Sequence, residues 1–284
     1  MIKKLPLVLP VAFAVSSAHS LQLTATVAPI ASLVEQVAGQ PVQVLIPASE
    51  SPHYFNMRMS QRALIEQSDL VFWVGESLET PIAGALGKMP NAVSLAEKDA
   101  GLHSEHGHEG HNHDDAHPWL SIEESEHLLT IIASELSRID AANQAQYEAR
   151  AQQAIERLHA LEAGLKAAVA PMKSIPYWVM HDAYGPFEAE MGIRRMGVIQ
   201  ANVNVKPTAK ELANLRQQVQ NGGCIFNEPQ MDARWIELVA KESNVSVHTL
   251  DPLGTELAAG PELHAQLLES IAASFADCAD NITK

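Results

Sequence analysis

The chain has 284 residues, 46% of them hydrophobic, 19% charged and 5% aromatic, with a formal net charge of -15. Its apolar content suffices for one large or two ordinary domains and excludes wholesale disorder. The acidic balance repels phosphate backbones and excludes a general nucleic-acid binder.

Residues 1–20 read as a secretory signal peptide. Lys3 and Lys4 form a positive start, Leu5 to Val15 a short apolar run, and Ala18-His19-Ser20 a small-residue cleavage site. The run is short and broken by Pro6 and Pro10, which argues against a membrane span; an uncleaved anchor is the alternative. The expected location is the periplasm. Two cysteines, Cys224 and Cys278, usually pair in such an oxidising compartment, the other reading being two buried free thiols. There is no C-x-x-C spacing for a cysteine-built zinc site.

Leu21 to Val27 alternates apolar and polar residues like a strand, and Pro29 opens a helix that Gly39 ends. Val42 to Ile46 predicts a second strand, residues 60–68 a helix capped by Ser60, and Asp69 to Val74 a buried strand. Ala92 to Leu95 is a weaker strand. Residues 103–115 read HSEHGHEGHNHDD, with five histidines, four acids and no large apolar side chain, which predicts a mobile loop. Ser121 and Glu124 then form a capping box that opens the next helix. Ile155, Leu158, Leu161, Leu165 and Val169 recur at helical spacing within 140–170, predicting a helix of about 30 residues, roughly 45 Å long. Strands are predicted next at Tyr177 to Met180, Gly197 to Gln200, Cys224 to Phe226 and Val245 to Leu250, with helices through Glu188 and over Ala209 to Gln220.

Strands separated by helices imply crossovers and parallel sheets. The fold class is therefore α/β, with two similar lobes of mainly parallel sheet flanked by helices. The predicted division is an N-terminal lobe over 21–139, a rigid linking helix over 140–170, and a C-terminal lobe over 171–284.

His53, His117 and His181 occupy non-helical positions beside strand ends or helix starts, and Asp251 immediately follows a strand. Ligands of open α/β sheets bind beyond the carboxyl ends of the strands, so the four suggest one site in the cleft between lobes. Three imidazoles and a carboxylate suit zinc in tetrahedral geometry, and imidazole favours zinc, copper or nickel over manganese. Each histidine taken singly reads as a capping or surface residue; only the joint placement points to a metal. His127, His159, His248 and His264 lack such context and read as structural. The loop histidines His103, His106, His108, His111 and His113 could capture zinc weakly and reversibly, or be only a solvated linker. Protons compete for imidazole nitrogens, which predicts metal release near the ordinary imidazole range.

An enzyme reading is also open: a zinc hydrolase with Asp182, Glu228 or Glu50 as general base. Against it, the sequence has no H-E-x-x-H, no G-x-S-x-G and no phosphate-binding loop. Storage of zinc or manganese without a transporter is a further alternative.

Several stretches together resemble one family. They are Ser51-Pro52-His53, Met59-Ser60, the run opened by Ser68-Asp69-Leu70-Val71, and the histidine-rich loop. They continue with His117-Pro118-Trp119-Leu120-Ser121, His181-Asp182-Ala183-Tyr184-Gly185-Pro186-Phe187, Glu228-Pro229-Gln230 and Leu250-Asp251-Pro252-Leu253-Gly254. In this order they resemble the ZnuA-type zinc-uptake proteins, periplasmic substrate-binding components of ABC transporters. The resemblance implies two α/β lobes joined by a long helix, with Zn2+ carried between them. It implies a non-enzymatic, monomeric chain that hands zinc to a membrane permease with its ATPase subunit, without nucleic acid. His53, His117 and His181 match the family's zinc-binding histidines. Manganese-specific relatives have Glu in place of His181. Asp251 matches a fourth ligand in several relatives, although water or another carboxylate fills that role in zinc-uptake members. Cys224 and Cys278 match a family disulfide. The chain departs from the pattern at Tyr54-Phe55-Asn56-Met57, where an acidic or Asp-Tyr start is commoner, and at Met59, where proline is usual.

Overall fold

The computed structural model describes residues 20–96, 116–241 and 243–283. The signal-peptide segment, apart from Ser20, and the histidine-rich segment 103–115 lie outside the described residues. The first sheet contains β1 (Leu23–Ala25), β2 (Gln43–Val44), β3 (Leu70–Trp73) and β4 (Ala92–Ser94), in the order β2-β1-β3-β4. The second repeats it with β5 (Tyr177–Val179), β6 (Gly197–Val198), β7 (Cys224–Asn227) and β8 (Ser246–Thr249), ordered β6-β5-β7-β8. Every pairing is parallel. In each sheet the strand order reverses between the first and third strands, and such a switch point opens a crevice at the strands' carboxyl ends.

In the first half, helix α1 (Ala28–Ala38) connects β1 to β2. Pro29 stands near its start, and Gly39 ends it at φ 69°, a left-handed turn that glycine adopts without strain. Helix α2 (Met59–Gln67) starts one residue before the predicted cap: Arg58 precedes the helix and its N–H is taken by the Gln61 side chain at 2.8 Å. Ser60 is thus inside the helix, and the predicted cap is corrected to the Arg58–Gln61 pair. Helix α3 (Thr80–Leu86) was not legible in the sequence because seven residues give too little periodicity.

Next come α4 (Ile122–Ile139) and α5 (Gln144–Val169). The predicted single helix over 140–170 is narrower, because tight 3-10 turns at Ala141–Asn143 and Ala170–Ser174 bound α5. Pro171, lacking an N–H, stands in the second turn. α5 is the long helix that joins the two halves, as predicted, and it is also packed along its length. Its stripe of Tyr147, Ala151, Ala154, Leu158, Leu165 and Val169 is buried, and the helix packs against α1, α4 and the C-terminal helix α9 (Leu263–Thr283).

In the second half, α6 (Gly185–Met191), α7 (Ala209–Val219) and α8 (Arg234–Ala240) flank the sheet. Alternation along the strands assigns its two faces. Trp178, Met180 and Ile225 point to a small core with Leu215 and Val219 of α7 and Ile236 and Val239 of α8. Tyr177, Val179, Cys224 and Phe226 point the other way, into a core that continues through α9, α5, α4 and α1 to the first sheet. One apolar core therefore joins both sheets. The packing of this shared core sets how the two sheets face each other across the cleft.

A disulfide joins Cys224 on β7 to Cys278 on α9. Gly223 ahead of it is obligatory: φ is 108°, and a Cβ there would lie 2.2 Å from the Pro176 carbonyl oxygen. No described helix is long and apolar enough to cross a membrane.

Candidate metal centre

Each of the three histidines is presented by a short, stiff piece of backbone. Pro52 and the Ser51 hydroxyl, which accepts from the His53 N–H at 3.4 Å, form the 3-10 turn Pro52–Tyr54 that carries His53. His117 is held by the turn on its C-terminal side. Pro118 starts this second 3-10 turn, and Trp119 is fully buried, its indole N–H donating to the Pro252 carbonyl at 2.8 Å. The Trp119 carbonyl in turn accepts from His264 Nε2 at 2.7 Å, and the Trp119 ring stands edge-on to His117 at 5.3 Å. His264 is thus a core histidine that anchors this turn; burial lowers its pKa to about 4. Beyond the turn, Ser121 caps α4 by accepting from Glu124 N–H at 3.2 Å. The Glu190 carboxylate accepts from Ile122 N–H at 2.8 Å. His181 leaves the carboxyl end of β5, beside the switch point of the second sheet.

The three imidazoles converge. Ring centres are 5.4 Å apart for His53 and His117, 5.6 Å for His53 and His181, and 5.1 Å for His117 and His181. The Nε2 atoms of His117 and His181 lie 3.3 Å apart. Two nitrogens bound at about 2.0–2.1 Å to a tetrahedral zinc are separated by about 3.3–3.4 Å, so this edge already has the length the ion needs. His53 Nε2 is buried and lacks a hydrogen-bond partner among the described residues, a state that an ion resolves. One potential ligand atom from each histidine lies within 4.8 Å of the others. The cavity they line has a volume of about 10 Å³, room for one water-sized occupant.

Electrostatics favour a cation here only when the imidazoles are neutral. Burial, followed by the neighbouring His117 and His181, pushes the His53 pKa down to about 3. Burial, then His181, holds His117 well below the usual imidazole range. The expectation of metal release near pH 6.5 is therefore displaced downward for these two ligands.

Glu228 completes the group, in a role that sequence reasoning missed. It leaves β7, the neighbour of β5 across the switch point, and is almost fully buried. One carboxylate oxygen is 2.6 Å from His181 Nδ1, and the other accepts from the His181 backbone N–H at 3.2 Å. A carboxylate at Nδ1 fixes the proton there and turns the Nε2 lone pair toward the ion. The sequence marked Glu228 by its place at a strand end and in the stretch Glu228-Pro229-Gln230, but nothing local pointed to His181 as its partner.

Asp251 is arranged differently from the three histidines. Its carboxylate turns into its own loop, accepting from the N–H groups of Leu253, Gly254 and Thr255 at 3.0, 3.1 and 2.5 Å, and from Gln230 Nε2 at 2.9 Å. The structure does not bring it into the histidine cluster. Gln230 also donates to the Ala48 carbonyl at 2.8 Å, tying the loop after β8 to the first half of the chain. Of the general bases considered for a hydrolase, Glu50 lies beside Arg58 at 3.7 Å and Asp182 is paired with Arg195. Glu228 is engaged with His181.

Comparisons with known proteins show the family. The family described as "ZnuA: Zinc-uptake complex component A periplasmic" matches residues 23–278. The "High-affinity zinc uptake system protein ZnuA" of Brucella abortus (strain 2308) is 31% identical over 294 residues, covering 88% of each chain. Its namesake from Yersinia pestis is 29% identical over 267 residues, covering 84% of each. A solved structure titled "Crystal structure of ZnuA" superposes with a TM-score of 0.78 at 23% identity, covering 92% of this chain and 100% of that one. That likeness speaks to the fold alone.

Proposed function

This chain belongs to the periplasmic zinc-uptake component A family, and from that premise we propose that it captures Zn2+ in the periplasm and passes it to an ABC permease driven by its ATPase subunit. The family is one of substrate-binding transport proteins, and zinc is cargo rather than a catalyst. His53, His117 and His181 hold the ion. The observation that carries this reading is the 3.3 Å separation of the His117 and His181 Nε2 atoms within a triad of imidazoles, two of them buried and His53 half-buried. Glu228 orients His181, and water or a carboxylate fills the fourth position. Asp251 is the candidate carboxylate, at the cost of releasing its own loop.

Neutral imidazoles leave the zinc complex with its full double charge, which the Glu228 carboxylate offsets in part. The chain works as a monomer, exported by removal of residues 1–20. His103, His106, His108, His111 and His113 add weaker capture sites; their composition and their position just ahead of His117 support this reading.

The test is zinc titration against a competing chromophoric chelator, for the wild type and for His53→Ala, His117→Ala and His181→Ala. Each single variant should lose affinity severely because two imidazoles leave an incomplete shell. Full-affinity stoichiometric zinc in the triple variant would overturn the assignment.

A further inference from the structure

A second group of metal-ligating side chains lies apart from the three histidines, where the disulfide meets β8. β7 and β8 are parallel, with Cys224 paired to Ser246 and Phe226 to His248. Residues two apart on a strand share a face, so Cys224 and His248 project from the same face of the sheet, one diagonal step apart. Helix α9 packs on β8 and brings Cys278 to that place. The two sulfurs and one His248 nitrogen lie within 4.8 Å of one another. Both cysteines are fully buried, whereas His248 is partly exposed, which leaves one side open to water.

We propose that Cys224, Cys278 and His248 form a thiolate zinc site when the disulfide is reduced, so that zinc and the disulfide exclude each other at this position. The Cα atoms of the cysteines are 6.2 Å apart. Two thiolates on a tetrahedral zinc, each at about 2.3 Å, need their sulfurs about 3.8 Å apart, which side-chain rotation reaches from that spacing. The steps balance. A dithiol reductant gives two electrons and two protons to the disulfide and is itself oxidised to a disulfide. Zn2+ then displaces the two thiol protons and takes the imidazole lone pair. Reoxidation passes two electrons to an acceptor disulfide and expels the ion, since a disulfide sulfur is a poor zinc ligand. His248 is already oriented by a 2.9 Å hydrogen bond between its Nε2 and the Ser246 hydroxyl. Water at the exposed side completes the shell. The site is independent of the three-histidine centre and takes zinc or another thiophilic cation.

The experiment uses the full chain with zinc first loaded at the three-histidine centre. The disulfide is reduced anaerobically with a dithiol, the reductant is removed, and Co2+ is added as the probe. Thiolate-to-cobalt charge-transfer absorption is specific to sulfur ligation, so the histidine-rich segment cannot mimic it. One equivalent of this absorption should appear in the reduced protein and none in the oxidised protein or in Cys224→Ser/Cys278→Ser. His248→Ala should weaken cobalt binding at least tenfold and alter the cobalt ligand-field bands. Saturating zinc should bleach the signal and slow reoxidation. The proposal is overturned if the reduced protein gives no thiolate absorption, whether or not its circular dichroism stays native. It is also overturned if the absorption and affinity are unchanged in His248→Ala.

Discussion

Glu228→Gln tests whether the site's affinity depends on a residue that does not touch the ion. The substitution keeps the side chain's shape, so it opens no cavity in a position that is almost fully buried. It keeps one oxygen acceptor but removes the negative charge that lies 2.6 Å from His181 Nδ1. Two effects then act in the same direction. His181 becomes a poorer donor because its Nδ1 no longer faces an anion, and the doubly charged complex loses a buried counter-charge. Outer-shell partners of this kind are typically worth 10- to 100-fold in metal affinity, or about 1.4–2.7 kcal/mol. Competition with a chromophoric chelator at neutral pH measures the change, with circular dichroism to confirm a native fold. His181→Ala provides the scale and should lose far more. A natively folded Glu228→Gln that binds zinc within twofold of the wild type would refute the reasoning.

Other outcomes rest on the same geometry. With its pKa depressed to about 3, His53 is unprotonated around pH 5, and burial shifts His117 in the same direction. Zinc affinity should therefore fall less steeply between pH 6.5 and 4.5 than the roughly thousandfold per pH unit of three ordinary imidazoles; a fall of that full steepness would contradict it. The sign for folding is linked. An unfolded histidine binds a proton below about 6.5 while folded His53 does not until about 3, and His117 is shifted the same way, so the metal-free protein should lose stability progressively as pH falls from 6.5 toward 3, read by denaturant midpoint. Asp251→Ala should cost about 2–4 kcal/mol of stability through three unmet backbone donors, with a smaller effect on zinc than any histidine variant. A histidine-sized loss of zinc affinity at unchanged stability would instead make Asp251 a direct ligand. Replacing both cysteines by alanine should destabilise by about 4 kcal/mol, the chain-entropy value for a separation of 54 residues. An unchanged melting temperature would count against that value. Deleting residues 103–115 should abolish the weaker zinc equivalents and keep the tight one, which calorimetry distinguishes.

How far each feature could be read in advance depends on how locally it is encoded. Proline, glycine and strand alternation mark where elements end, and a metal site at strand ends inherits those marks. His53 beside Pro52, His117 beside Pro118 and His181 after the apolar run from Tyr177 were therefore visible. Glu228 was not, because its partner is 47 residues away and the contact exists only once β7 is placed beside β5. Asp251 shows the reverse failure. An aspartate after a strand is equally suited to bind an ion or to cap the turn beyond it. The run Pro252-Leu253-Gly254-Thr255 supplies three N–H donors within four residues, closer than any distant cation. The linking helix was legible in its periodicity but not in its partners, since an apolar stripe does not state which surface covers it. That partner matters for the mechanism. With one face of α5 packed into a core shared by both sheets, the spacing of the three imidazoles is set by the packing between the two halves and not by any one of the turns that carry them.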